Sequence, residues 1–205
     1  MKKLLLSALS FLSAWVLLTA FSTELFAQSQ GTYVVDTNSS LVSWEGKTIA
    51  GSGHTGYIQL SSGSLDVVSG KVTSGKFVVD VKSIKTTDLK GDRAARLENH
   101  LKNEDFFDVS KFPTASLVIT SVQSKSNNEV QVTGDLTIKN IKKSISFPAK
   151  ITVNGDKLTA VAESIKINRT EFDVKYRSGS FFSGLGDRAI LDEFELKIEL
   201  VAQKK

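Results

Sequence analysis

Residues 130–158 read VQVTGDLTIKNIKKSISFPAKITVNGDKL. Val130, Val132, Leu136 and Ile138 alternate with Gln131, Thr133, Asp135 and Thr137. Ile145, Phe147, Ala149, Ile151 and Val153 then alternate with Ser144, Ser146, Pro148, Lys150 and Thr152. A period of two places apolar side chains on one face of a pleated strand and polar ones on the other. Lys139-Asn140 marks a turn between the two runs, and Asn154-Gly155 before Leu158 is a tight hairpin signal. Connections this short join antiparallel neighbours, because a parallel crossover needs about a dozen residues or more. Pro148 points to the wet face, which predicts that its strand lies at an edge or carries a bulge.

The same alternation extends outward. Phe194, Leu196, Ile198 and Leu200 interleave with Glu193, Glu195, Lys197 and Glu199, and Phe77, Val79 and Val81 with Lys76, Asp80 and Lys82. Weaker runs predict strands over 32–35, 41–49, 57–60, 115–122 and 158–167, with a further turn at Asn127-Asn128. One segment departs from this pattern. Between Asp92 and Asn103, Ala94, Leu97 and Leu101 follow helical spacing, and Asp92 is placed to cap a short helix. The chain is therefore all-β and antiparallel, with about eight or nine strands and one helical insert. A closed barrel of eight strands and a two-layer sandwich both give this alternation.

Met1-Lys2-Lys3 precedes an uncharged apolar run from Leu4 to Thr23. This predicts a secretory signal peptide over 1–27, cleaved after Ala27, and a mature domain over 28–205 in the periplasm. An uncleaved membrane anchor is the rival reading, since the run is nearly long enough to span a bilayer. The chain has no cysteine, so a lipid anchor on a cysteine is excluded and the core must suffice without disulfides. Setting aside Lys2, Lys3 and Glu24 leaves 24 basic and 21 acidic residues, a net charge of +3 with both signs interspersed. Nucleic-acid binding needs a basic stripe with interleaved aromatics, and only Lys139, Lys142 and Lys143 cluster tightly.

Catalytic signals are sparse. The two histidines, His54 and His100, are far apart in the chain and lack metal-ligand spacing. They read as partly exposed residues, with His100 near enough to Asp105 for a local hydrogen bond. Gly51-Ser52-Gly53 and Gly184-Leu185-Gly186 lack the spacing that cradles phosphate. No cofactor or metal is expected.

The informative feature is a repeated pair of phenylalanines. Phe106-Phe107 sits among Glu104, Asp105 and Asp108, and Phe181-Phe182 among glycines and serines. On a strand, one ring of each pair would face water. Two readings stand: ordinary core plugging one end of the fold, or the mouth of an apolar cavity, with Phe112, Tyr176 and Leu185 joining them. Lys139, Lys142 and Lys143 form either a solvated hairpin or a seat for an anionic head group. Arg169 has the same two readings, its structural one being an ion pair with Glu163, Glu171 or Asp173.

Three blocks carry a resemblance. His100 to Val109, HLKNEDFFDV, closed by Lys111-Phe112-Pro113, resembles the signature of the YceI-like proteins. Gly134 to Lys139, GDLTIK, followed by Lys142-Lys143, resembles their second block, and Ile167 to Phe172, INRTEF, their third. Order and spacing match across the mature chain. At 47–54 it carries KTIAGSGH, where the family more usually has a His-Leu-Gly segment. The resemblance implies an extended lipocalin-like antiparallel β-barrel with a helical insert. It also implies a long apolar pocket for polyisoprenoids or similar long-chain lipids, a homodimer in many members, and no catalysis. The function expected is lipid binding for storage or transport. The alternatives are a ligand-free structural or partner-binding barrel and, lacking an activated nucleophile, an enzyme acting on lipids. The cavity and mouth candidates are Trp44, Phe77, Phe106, Phe107, Phe147, Arg169, Phe172, Tyr176, Phe181 and Phe182.

Overall fold

The computed structural model describes residues 30–126 and 128–205. The expected export signal at 1–27, and Asn127 of one expected turn, lie outside them. The chain forms β1 (Gly31–Val35), β2 (Leu41–Thr48), β3 (Gly53–Val68), β4 (Lys71–Thr86), helix α1 (Gly91–Lys102), β5 (Thr114–Ser124), β6 (Glu129–Ile138), β7 (Ile141–Asn154), β8 (Lys157–Asn168) and β9 (Ile190–Lys204). Consecutive strands from β2 to β9 pair antiparallel, and β9 pairs back onto β2, so the sheet closes into an eight-strand barrel. This decides barrel over sandwich. β1 takes up the same place in the ring as β2, pairing with β3 and β9 below it. The link between β1 and β2 is pinned by Asp36, whose carboxylate accepts the Asn38 and Ser39 amides.

Hairpin chemistry sets the registers. Lys139 and Asn140 both take positive φ, 50° and 61°, in the two-residue turn that closes Ile138 against Ile141. That is the turn whose twist matches paired strands. The next turn is Gly155-Asp156, closed by Asn154 and Lys157, one residue later than the Asn154-Gly155 reading placed it. β7 pairs with β8 only through the Lys150–Val161 rung and below, so above it β7 is hydrogen-bonded to β6 alone. Pro148 lies in this freed stretch. Counting rungs from Ile138–Ile141 puts Pro148 at a non-hydrogen-bonded position of the β6–β7 ladder. Its missing N–H therefore costs no bond.

α1 runs one residue earlier than expected. Lys90 occupies the cap position without a side-chain hydrogen bond, and Asp92 sits inside the first turn. The helix is instead fixed by Glu98, which is 8 % exposed. Its carboxylate accepts Lys85 Nζ at 2.8 Å and the Thr86 amide at 3.2 Å, tying α1 to the end of β4.

The two ends of the barrel differ. At the lower end Tyr33, Leu65, Val67, Leu158 and Ala202 are all buried, and the Tyr33 hydroxyl donates to the Gly155 carbonyl. The upper end is covered by α1, the 103–113 turn and the long 169–189 connection.

Candidate functional site

The barrel interior is not filled. Two adjoining cavities, of about 160 Å³ and 110 Å³, lie along its axis. Val42, Val79, Leu136 and Leu196 line both, so the chambers meet at that belt. The space has a sequence cause: the inward positions hold Ala115 in the upper chamber and Ala149, Ala160 and Ala162 in the lower one. An eight-strand barrel has an interior that large side chains just fill, so small ones leave room. The walls are apolar almost throughout; Arg169 and Glu193 are the charged residues of the upper wall, and Ser116 the polar residue of the lower one.

The 103–113 turn explains the first phenylalanine pair. Beyond α1 the chain does not become a strand. The Phe107 and Val109 amides donate back to the Leu101 and Lys102 carbonyls, satisfying the helix end, and the Phe106 and Asp108 amides donate to Asn103. Asp108 takes a positive φ of 45° and accepts Ser110 and Lys111 at 2.8 and 2.9 Å. Winding the chain this way turns both rings inward, and Phe106, Phe107 and Leu101 all line the upper cavity. Behind them, Phe106 meets His100 edge-on at 5.0 Å and Tyr176 at 5.2 Å, while Tyr176 meets His100 at 4.7 Å. His100 is held by Asp105 at 3.0 Å. Tyr176 thus supports the wall from outside and does not itself line the cavity.

Trp44 lines the upper chamber, its Nε1–H donating to the Tyr57 carbonyl at 3.3 Å. Its ring lies against Gly56, where an added Cβ would stand 2.5 Å from it. Phe77 and Phe147 line the lower chamber.

Arg169 is buried, 4 % exposed, and lines the upper chamber. None of the expected carboxylates holds it. Nη1 donates to the Val174 carbonyl at 2.7 Å, Nη2 to Ile190 at 3.0 Å and Nε to Leu191 at 3.0 Å, with Asp192 3.7 Å from Nη2. Burial pushes the guanidinium below its usual pKa, and Asp192 opposes this. The group's geometry is fixed by three backbone oxygens, so its first task is to pin the 174–191 connection over the barrel mouth. Such partners are invisible in a sequence.

Besides Tyr176, three candidates lie off the cavity. Phe172 is packed in the core at 1 % exposure, because the 3-10 turn Arg169–Phe172 directs it inward beside β8. Phe181 and Phe182 are 51 % and 52 % exposed and line neither chamber. Their amides donate to the Ser178 carbonyl, so this turn stands outward from the rim. Of the three lysines, Lys139 donates to the Asp173 carbonyl at 2.9 Å and closes the top of β7 against the connection. Lys142 and Lys143 are exposed.

A single antiparallel barrel, its axis hollow and apolar, its mouth covered by α1, the 103–113 turn and the 169–189 connection, agrees with comparison to known proteins. A profile of the YceI-like domain matches residues 33–202. The chain belongs to the YceI-like family. A "UPF0312 protein" of Shewanella denitrificans is 30% identical over 181 residues, covering 85% of this chain and 86% of that protein. "Protein YceI" of Escherichia coli O157:H7 is 33% identical over 98 residues, covering 45% of this chain and 50% of that protein. Among solved structures, Burkholderia cenocepacia BcnA superposes with a TM-score of 0.66 at 24% identity, covering 82% of this YceI-like chain and 98% of BcnA. A polyisoprenoid-binding domain from Saccharophagus degradans, described as implicated in plant cell wall breakdown, gives 0.66 at 11% identity, covering 84% and 98%. At these identities the superpositions establish the shared fold.

Proposed function

We propose that this YceI-like barrel binds one long apolar chain, a polyisoprenoid or related acyl chain, in its interior, and stores or carries it in the periplasm after export. The observation that carries this reading is the pair of chambers joined end to end along the axis and walled by carbon. The polyisoprenoid-binding domain of the same fold supports it.

The energetics favour length. A buried methylene contributes about 0.8 kcal/mol. Ten give roughly 8 kcal/mol before ordering costs, and micromolar affinity needs about 8 kcal/mol net. A guest of ten carbons therefore falls short. A longer chain or a held head group is required.

The reading is binding, not catalysis, because the polar groups of the cavity wall are few and Arg169 is committed to backbone carbonyls. Trp44 gives a direct test. The sequence has two tryptophans, and Trp15 belongs to the expected leader. In chain lacking residues 1–27, titration with a long polyprenol should saturate near one equivalent and change Trp44 emission. No change, with the fold intact, would refute guest binding in the upper chamber.

A further inference from the structure

The outward-facing turn with Phe181 and Phe182 belongs to a larger apolar rim. Ile49 is 59 % exposed and Leu191 41 %. The three segments meet: the Ile49 amide donates to the Ala189 carbonyl at 2.9 Å, and Ile190 donates to Arg177 at 2.8 Å. A Cβ at Gly179 would lie 3.8 Å from Ile49 Cδ1. Four large exposed apolar side chains therefore share one edge of the barrel mouth, and Leu191 also lines the upper cavity. Clusters of this kind mark partner or membrane contacts, whereas single exposed apolar residues need no explanation.

The charges around the rim select the partner. Residues 175–189 carry Lys175, Arg177 and Arg188 against Asp187 alone. Lys175 Nζ stands 5.1 Å from the centre of the Phe181 ring, and Arg177 5.4 Å from that of Tyr176. Arg177 and Arg188 form no ion pair among the described residues. Lys175 is shared with Asp173 at 2.8 Å, so the net positive charge of the rim comes from Arg177 and Arg188. Exposed aromatic rings beside such cations suit an interface where acyl chains meet anionic head groups. A second copy of the chain suits it less, since a two-fold contact on this patch would set the same cations against each other.

We propose that this rim is a membrane-docking surface, at which the barrel exchanges its apolar guest with a bilayer carrying anionic head groups. The inference rests on the carrier reading for its purpose. Gly179, Gly184 and Gly186 supply the backbone freedom the turn needs to settle into a head-group layer: Gly184 and Gly186 already have φ of 74° and 51°.

The test is co-sedimentation of the purified protein with vesicles of phosphatidylethanolamine and phosphatidylglycerol, against vesicles of phosphatidylcholine alone. Binding should be about 25-fold stronger to the anionic vesicles, about fivefold for each of the two arginines, and weaken as salt rises. Phe181→Ser with Phe182→Ser should lower the partition coefficient about tenfold or more, with an unchanged melting temperature because both rings are exposed. Arg177→Gln and Arg188→Gln should each cost about fivefold on anionic vesicles only. Equal binding by the phenylalanine variant would overturn the proposal. So would a dimer in vesicle-free solution that the same variant dissolves, since the rim would then be a contact between copies. Solvent extraction of each sample separates the two readings. Docking by a lipid-free protein contradicts the carrier and supports the surface; a lipid-loaded protein that ignores vesicles does the reverse.

Discussion

Replacing Val79 by phenylalanine would place a ring at the belt where the two chambers meet. Val79 sits on β4 between the inward Phe77 and Val81, and it lines both cavities. In a filled interior the change would overpack the core and cost about 1–3 kcal/mol or more. Here about four added carbons enter existing space and gain roughly 0.8 kcal/mol each. Fixing the ring and crowding its neighbours at the belt offset most of that gain, so the melting temperature should move by only a few degrees. Guest binding has no such compensation. If the ring displaces about five methylenes of a chain lying across the belt, binding loses about 4 kcal/mol, roughly a thousandfold. The assay pairs a thermal melt with the Trp44 titration. A folded Val79→Phe variant that takes up polyprenol as tightly as the parent would refute the tunnel. So would an unfolded one, since it would mean that the belt has no room.

Three further outcomes follow from named contacts. Arg169→Ala should destabilise the fold by about 2–4 kcal/mol, because the buried Val174 carbonyl and the part-buried Ile190 and Leu191 carbonyls lose their donor, and proteolysis should then begin within 174–191. Gly56→Ala should cost at least about 2 kcal/mol in a denaturant melt, since its methyl would meet the Lys85 carbonyl oxygen and the Trp44 ring. Asp88 gives a pH dependence. Burial alone would raise its pKa, but hydrogen bonds from the Thr86 hydroxyl, His54 and the Thr55 amide hold it down at about 2. A carboxylate depressed in the folded state takes up its proton first when unfolded. Its stabilisation is therefore whole above the ordinary aspartate pKa and is lost as pH falls from there through about 2. Melts from pH 7 to pH 2 should show the gap between the parent and Asp88→Asn closing toward acid; a constant gap would contradict this.

Much of the architecture was legible from Val130 to Leu158 outward, because a strand with one dry face must alternate. β3 and β4 were read too short. Ser61, Ser62, Gly63 and Ser64 break the apolar rhythm of β3, yet the strand runs to Val68 because pairing with β4 continues through them. Closure was not legible, since it depends on β9 meeting β2 across most of the chain. The site divided along similar lines. Trp44, Phe77 and Phe147 stand on strands, where period two fixes which way they face. Phe106 and Phe107 follow a helix end whose winding no strand rule describes. Arg169 found carbonyls where only side-chain partners can be seen in a sequence. Phe181 and Phe182 share the composition of the first pair but not its backbone, and they face outward.

The carrier reading stands or falls on a long apolar guest inside the barrel. Purification without detergent, followed by solvent extraction and mass spectrometry, should yield one long-chain lipid per protein, lost from Val79→Phe. A well-folded protein that yields no lipid, and takes none up from added polyprenol, would contradict it.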